Sequence, residues 1–153
     1  MTDTHDILTG MRTVLQADAT LTAMVTNRIA IAVNGLIPAG WLTKHALCLA
    51  PERVNVLTYP AGMTNHRGVI VTVYCYTEHF GEEVGLMGNT SFAGLLALEQ
   101  AVLNVLFPNN YTDVNDLSGQ VCAGFWQGTI YPEAHLRNFE GLNEARIMIE
   151  YRV

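Results

Sequence analysis

His79 stands three residues before Glu82 and four before Glu83. An imidazole and two carboxylates at that spacing could ligate a metal ion, although the same spacing arises often by chance. Cys75 paired with a distant histidine could act as a thiol nucleophile, but a catalytic thiol needs a polar, electropositive setting. Its neighbours are Val73, Tyr74 and Tyr76, which suit a buried structural cysteine better. The serines are Ser91 and Ser118, and neither lies in a GxSxG elbow. No Walker loop, GxGxxG or HExxH is present. Cys48, Cys75 and Cys122 are odd in number and far apart with no CxxC, which argues against a disulfide framework or zinc site and fits a reducing compartment. The expectation is a chain that is not an enzyme, with no cofactor and no metal.

The elements that would position these residues follow from hydrophobic periodicity. Ile7, Leu8, Met11, Val14 and Leu15 share one helical face, so Asp3 to about Ala17 reads as a helix. Asp18 looks like the cap of a short second helix with Leu21, Met24 and Val25 inward. Arg28–Val33 reads as a strand closed by Asn34-Gly35, and Val54–Tyr59 as another closed by Pro60. Between them, Leu36–Arg53 is punctuated by Pro38, Gly40 and Pro51 yet rich in apolar residues, including Trp41 and Leu42. It reads as a packed loop, a hairpin, or an arm that lies on a neighbour. Gly68–Thr77 alternates Val69, Val71, Val73 and Cys75 against Ile70, Thr72, Tyr74 and Tyr76. Both sets are largely apolar or aromatic, which marks a central strand. The polar stretch Glu78–Thr90, with three glycines, reads as an exposed loop that a partner would order.

Ser91–Phe107 is the strongest helical pattern, stopped by Pro108. Its apolar arc, widened by Phe92, Leu96 and Leu103, is roughly 200° against the ~100° stripe that one contact requires. The helix is therefore either sandwiched within the domain or meets a partner. Glu99 falls inside the arc, where its carboxylate either bends to solvent or pairs with an Arg. Val121–Ile130 and Ala145–Val153 read as the last strands, joined by a Pro132–Asn143 loop. The fold class is α+β: residues 1–153 as a single domain, a mainly antiparallel (mixed) sheet, helices packed on one face, and 36–53 and 78–90 as long loops or arms.

Composition bounds the partners. Half the residues are hydrophobic, 14% are charged, and the net charge is −6. With the usual charged fraction near ~25%, apolar surface is left for another subunit to cover. The eight basic residues are scattered, so tight nucleic-acid binding lacks its cationic cluster. No apolar run reaches the ~18–20 residues of a membrane span, and the opening residues lack the basic and apolar regions of a signal peptide.

Two segments resemble a known family. Leu15-Gln16-Ala17-Asp18-Ala19-Thr20-Leu21-Thr22-Ala23-Met24-Val25-Thr26-Asn27-Arg28-Ile29 is similar to the opening of the tail terminator and tail completion (neck) proteins of long-tailed bacteriophages. Val71-Thr72-Val73-Tyr74-Cys75-Tyr76-Thr77 and the Ser91–Phe107 helix resemble that family's central strand and following helix, and the closing strand fits as well. The resemblance covers about two-thirds of the chain, in order, and the Leu36–Arg53 and Glu78–Thr90 segments are longer than the family needs. It implies a virion structural protein: a ring, commonly of six copies, that ends the tail tube and joins tail to head. Its partners would be copies of itself, the tail tube or sheath protein, and a neck or head-completion connector. DNA would only pass through the lumen, and no membrane is involved. On this reading Trp41, Leu42, Glu82, Glu83, Phe92, Leu96, Glu99 and Leu103 are the candidate subunit-interface residues. The alternatives are another head–tail joining protein, a small cytoplasmic enzyme using Cys75 or the His79 region, or a ligand-binding module lined by Tyr74, Tyr76 and Trp126.

Overall fold

A computed structural model describes residues 2–57, 66–111 and 113–153. Helix α1 (Thr4–Ala17) begins at a reciprocal cap. The Asp6 N–H donates to Asp3 Oδ1 at 2.8 Å, and the Asp3 N–H donates to Asp6 Oδ2 at 3.2 Å. One face of α1 buries Ile7, Leu8, Met11 and Leu15. Asp18 ends α1 and caps α2 (Ala19–Val25), accepting from the Leu21 N–H at 3.0 Å. These two helices lie where the apolar spacing places them.

Among the described residues five strands form one mixed sheet in the order β1-β2-β3-β5-β4. They are β1 (Ile29–Ile31), β2 (Ala46–Leu57), β3 (His66–Thr77), β4 (Ala123–Ile130) and β5 (Asn143–Arg152). The β1–β2 pair is parallel and the others are antiparallel. The expected α+β class holds. Strands β1 and β4 are shorter than the alternation predicts, and β5 begins two residues earlier.

The sheet's two faces follow from strand alternation. Leu47, Leu49, Val69, Val71, Val73, Cys75, Ala145, Ile147, Ile149 and Tyr151 join α1, α2 and helix α4 (Leu95–Leu106) in one core. On the other face Ala46, Cys48, Ala50, Tyr74 and Tyr76 pack with Ile37 and Leu142 in a smaller cluster, flanked by Trp41 and Phe139.

The Leu36–Arg53 segment is not a loop throughout. Its second half, from Ala46, is the start of β2, and the expected Val54–Tyr59 strand is the same strand continued; Thr58 and Tyr59 lie outside the described residues. Pro51 obscured the continuity. Strand β1 pairs with β2 only at Leu47–Leu49, so among the described residues β2 is an edge beyond Leu49, and a bulge falls between Pro51 and Arg53. Edge strands and bulges are where a strand tolerates a proline. What remains as connection is 32–45, with two short 3-10 turns at Val33–Gly35 and Ala39–Trp41.

The Glu78–Thr90 segment also carries structure: a short helix, α3 (Glu83–Met87). Its glycines serve close packing as well as turning. A Cβ on Gly94 would fall 2.4 Å from the Gly88 nitrogen and the Leu86 carbonyl oxygen, and one on Gly85 would fall 2.2 Å from the His79 oxygen. The tight 88–94 turn holds Ser91 and Phe92 outside the helix, so α4 starts at Leu95 rather than Ser91. Within the turn, the Asn89 N–H donates to the Phe92 oxygen at 2.8 Å.

Candidate assembly surface

The residues that could have done chemistry are not arranged to do it. Cys75 is completely buried in β3, and burial pushes its thiol far above the usual range, with the Glu99 carboxylate adding to the shift. A thiol held protonated in this way is a poor nucleophile. His79 Nδ1 lies 3.2 Å from Glu82 on the exposed turn. Glu83 sits in the first turn of α3, where a carboxylate favours the helix dipole. Among the described residues the cluster with metal-like ligand spacing is Asp3, His5 and Asp6, and the two aspartates are the exposed cap of α1. Tyr74 and Tyr76 do not share a pocket with Trp126. The two tyrosines stack at 6.3 Å under the 32–45 segment, with the Tyr76 hydroxyl donating to the Gly35 oxygen at 2.6 Å. Trp126 is paired with Ile149 on the helix-bearing face and meets Tyr111 at 5.3 Å.

The candidate interface residues fall in separate places. Trp41 is half-buried against the smaller cluster, beside exposed Leu42. Glu82 and Glu83 are exposed around α3. Phe92 packs its ring edge against His45 and His79, at 4.6 and 4.8 Å. Leu96 lines an apolar depression of about 290 Å³ with Phe80, Leu86, Leu95, Tyr131, Pro132 and Arg137. The Arg137 guanidinium lies 3.5 Å over the Phe80 ring in its wall, a cation–π contact. Glu99 is half-buried and its partner is a hydroxyl rather than an Arg: Tyr131 donates to Glu99 Oε1 at 2.6 Å. Burial and that carboxylate push the Tyr131 hydroxyl well above its ordinary range. Leu103 is 2% exposed and packs in the core. Much of the wide apolar arc on α4 is thus spent inside the subunit, on the sheet and on α1, α2 and α3.

Sequence reading missed the sheet's edges. Strand β4 pairs with β5 on one side, and among the described residues no strand pairs with its other side. Ala123–Ile130 contains no charge and no proline, two of the guards of an exposed edge, although it carries a bulge between Trp126 and Gly128. Phe125, Trp126 and Ile130 stand exposed along it, followed by exposed Tyr131. At the opposite side of the sheet no strand among the described residues pairs with the end of β2, where Val54 is 45% and Val56 66% exposed. The signal for the β4 edge was present in the uncharged, aromatic run; strand order was needed to see that it lies at an edge.

Between the edges, half of the sheet's second face is open. Glu52, Arg53, Ile70, Thr72, Gln127, Ile130, Arg146 and Met148 line a shallow depression there of about 450 Å³. It carries paired charges, with Arg146 on Glu144 at 2.5 Å and, along the same strand, Arg152 on Glu150 at 3.0 Å.

No family model matches the chain, and no curated protein matches it in sequence. A solved structure does. A chain from the virion of a native gene transfer agent particle superposes with a TM-score of 0.59 at 20% identity, over 96% of this chain and 93% of that one. The likeness is one of fold, and it runs over nearly the whole of both chains. No helix among the described residues is long and apolar enough to cross a membrane.

Proposed function

We propose that this chain is a structural subunit of a long-tailed, phage-type virion, forming a ring that ends the tail tube and joins tail to head. The observation that carries the reading is the near end-to-end correspondence with a chain of a gene transfer agent virion. It agrees with the tail-terminator resemblance of the Leu15–Ile29 and Val71–Thr77 segments. The buried Cys75, and the His79–Glu82 pair lying on an exposed turn, support a role without catalysis. Trp41, Leu42, Glu82, Glu83, Phe92, Leu96 and Glu99 remain candidates for contacts with the next copy or with the tube, sheath or neck protein. A net charge of −6 suits a lumen through which DNA slides, because like charge prevents phosphate contacts.

The test is to remove the gene and image the particles. Loss of a terminator leaves overlong, unattached tubes. Loss of a neck adaptor, the closest alternative, leaves tails of normal length that fail to join heads. In intact virions the protein should be multicopy and confined to the head-proximal end of the tube. A single copy, or labelling along the tube, would overturn the ring reading.

A further inference from the structure

We propose that copies of this chain join head to tail by strand pairing, the free edge of β4 in one copy seating on the free end of β2 in the next. The proposal rests on the ring reading and specifies its contact. Strand β4 offers eight residues without charge or proline. Such an edge is a template for another strand, and natural sheets protect edges that are not used. Among the described residues a second free edge lies on the opposite side of the same sheet, Arg53–Val56, left open because β1 ends at Ile31, opposite Leu49. Two different edges on opposite sides form a heterologous contact, the kind that closes into a ring when the rotation per copy allows.

The two edges match face by face. A joined sheet keeps its faces aligned, so residues on the same face meet. On the helix-bearing side, Trp126 would face Val54 and Val56, whose cross-strand partners are Val69 and Arg67. Aromatic residues against β-branched ones are among the favourable cross-strand pairs. On the open side, with Trp126 opposite Val54, Phe125 would face Asn55 and Gly128 would face Arg53. Phe125 already takes one guanidinium, that of Arg152, 4.9 Å from its ring, and Arg53 would approach the same apolar strip. The shallow depression on the open face is bounded by Glu52 and Arg53 at one end and by Gln127 and Ile130 at the other, so pairing would run that face from copy to copy.

Complementation of blocked edges tests this. Trp126→Lys puts a charge on the β4 edge and Val56→Lys puts one on the β2 edge, both at exposed positions. Each protein is checked for native circular dichroism and sized by light scattering up to millimolar concentration. The wild type should self-associate, and each variant alone should be monomeric, its association constant lowered by roughly tenfold or more. Mixing the two should give a one-to-one dimer and nothing larger, since one good edge of each kind remains. Ile130→Lys replaces Trp126→Lys if the latter is misfolded. Self-association of Val56→Lys alone would overturn the proposal, because the contact would then not use β2. So would a mixture that stays monomeric, or a wild type monomeric at every concentration. A monomeric wild type would leave the terminator reading standing on the virion experiment; overlong tails with a wild type that pairs as described would sustain both.

Discussion

On the face that α1, α2 and α4 cover, Ile147, Ile149, Val71 and Val73 are completely buried side by side with Cys75 and Ala145. On the opposite face of the same strands, Arg146, Met148 and Glu150 alternate with them and are only half-buried. The first face is closed by helices whose apolar stripes were selected for it. The second is closed over one half by the 32–45 segment, through Ile37 and Trp41, and is open over the other half. The difference separates two tasks. The larger share of the folding free energy comes from the first face, whose apolar area leaves water on folding at about 25 cal/mol per Å², and the smaller cluster under the 32–45 segment adds to it. The open half of the second face and the edges remain available for contacts between molecules.

The largest expected effect tests the first half of that comparison. Ile147→Ala removes a fully buried side chain from the centre of β5, and should cost about 2–5 kcal/mol. Denaturant unfolding would show the loss. A cost below about 1 kcal/mol would mean that the helix face is not the principal core.

Gly35→Ala tests the closed half of the second face. Gly35 has φ of +76°, and a Cβ there would fall 2.4 Å from the Tyr74 ring. A side chain would have to displace either the ring or the turn that covers it. The expected cost is about 2–3 kcal/mol, combining left-handed strain with overpacking. Tyr76 fluorescence and exchange of the amides in 33–37 would report opening of this cover with the helix face still intact.

Alkaline pH should loosen the same cover. Burial raises the Cys48 thiol from its usual 9.0 to about 11. Its Sγ donates to the Leu36 oxygen at 3.4 Å and to the Ala32 oxygen at 3.7 Å, both in the covering segment. Because the folded-state pKa is the higher one, the native state holds its proton more tightly. The stability is fully present below pH 9 and is lost as pH rises through 11. The slope contributed is at most about 1.4 kcal/mol per pH unit. Cys48→Ala should flatten the alkaline limb between those pH values relative to wild type. An unchanged limb would assign it to the buried tyrosines, whose hydroxyls are also raised.

How legible these regions were depends on whether local chemistry or long-range pairing decides them. The α1 and α2 boundaries were readable because Asp3 and Asp18 satisfy helix N–H groups within three residues. The central strand was readable because both its residue sets are apolar. Pro51 misdirected the reading of β2, since only strand order reveals that β1 stops two residues earlier. The start of α4 was misread for a similar reason: Ser91 is an acceptable cap locally, but the Gly88–Gly94 approach is a tertiary contact. Of the candidate interface residues, Leu103 could not be told from Leu96 on a helical wheel. The first meets the core and the second lines a surface depression, and the distinction lies in where the neighbouring elements stop. The β4 edge was hidden in the same way, by a strand order that no local pattern encodes.

The smallest effect is the sharpest test of the comparison. Met148 follows Ile147 directly and points to the other face, beside Ile70 and Thr72 in the open depression. It is half-buried, and among the described residues no helix lies over it. Met148→Ala therefore removes side-chain contacts on one side only, and neighbouring side chains and water can fill the space. The expected loss is below about 1 kcal/mol, against several for the adjacent isoleucine. Both measurements should be made at a dilution where the protein is monomeric, since an associated sheet would bury more of this face. At that dilution, a Met148→Ala cost equal to that of Ile147→Ala would show that the open face is as much a core as the helix-covered one. The two-task division of the sheet would then be wrong. A cost that is small when dilute and grows with concentration would instead mark Met148 as covered on assembly.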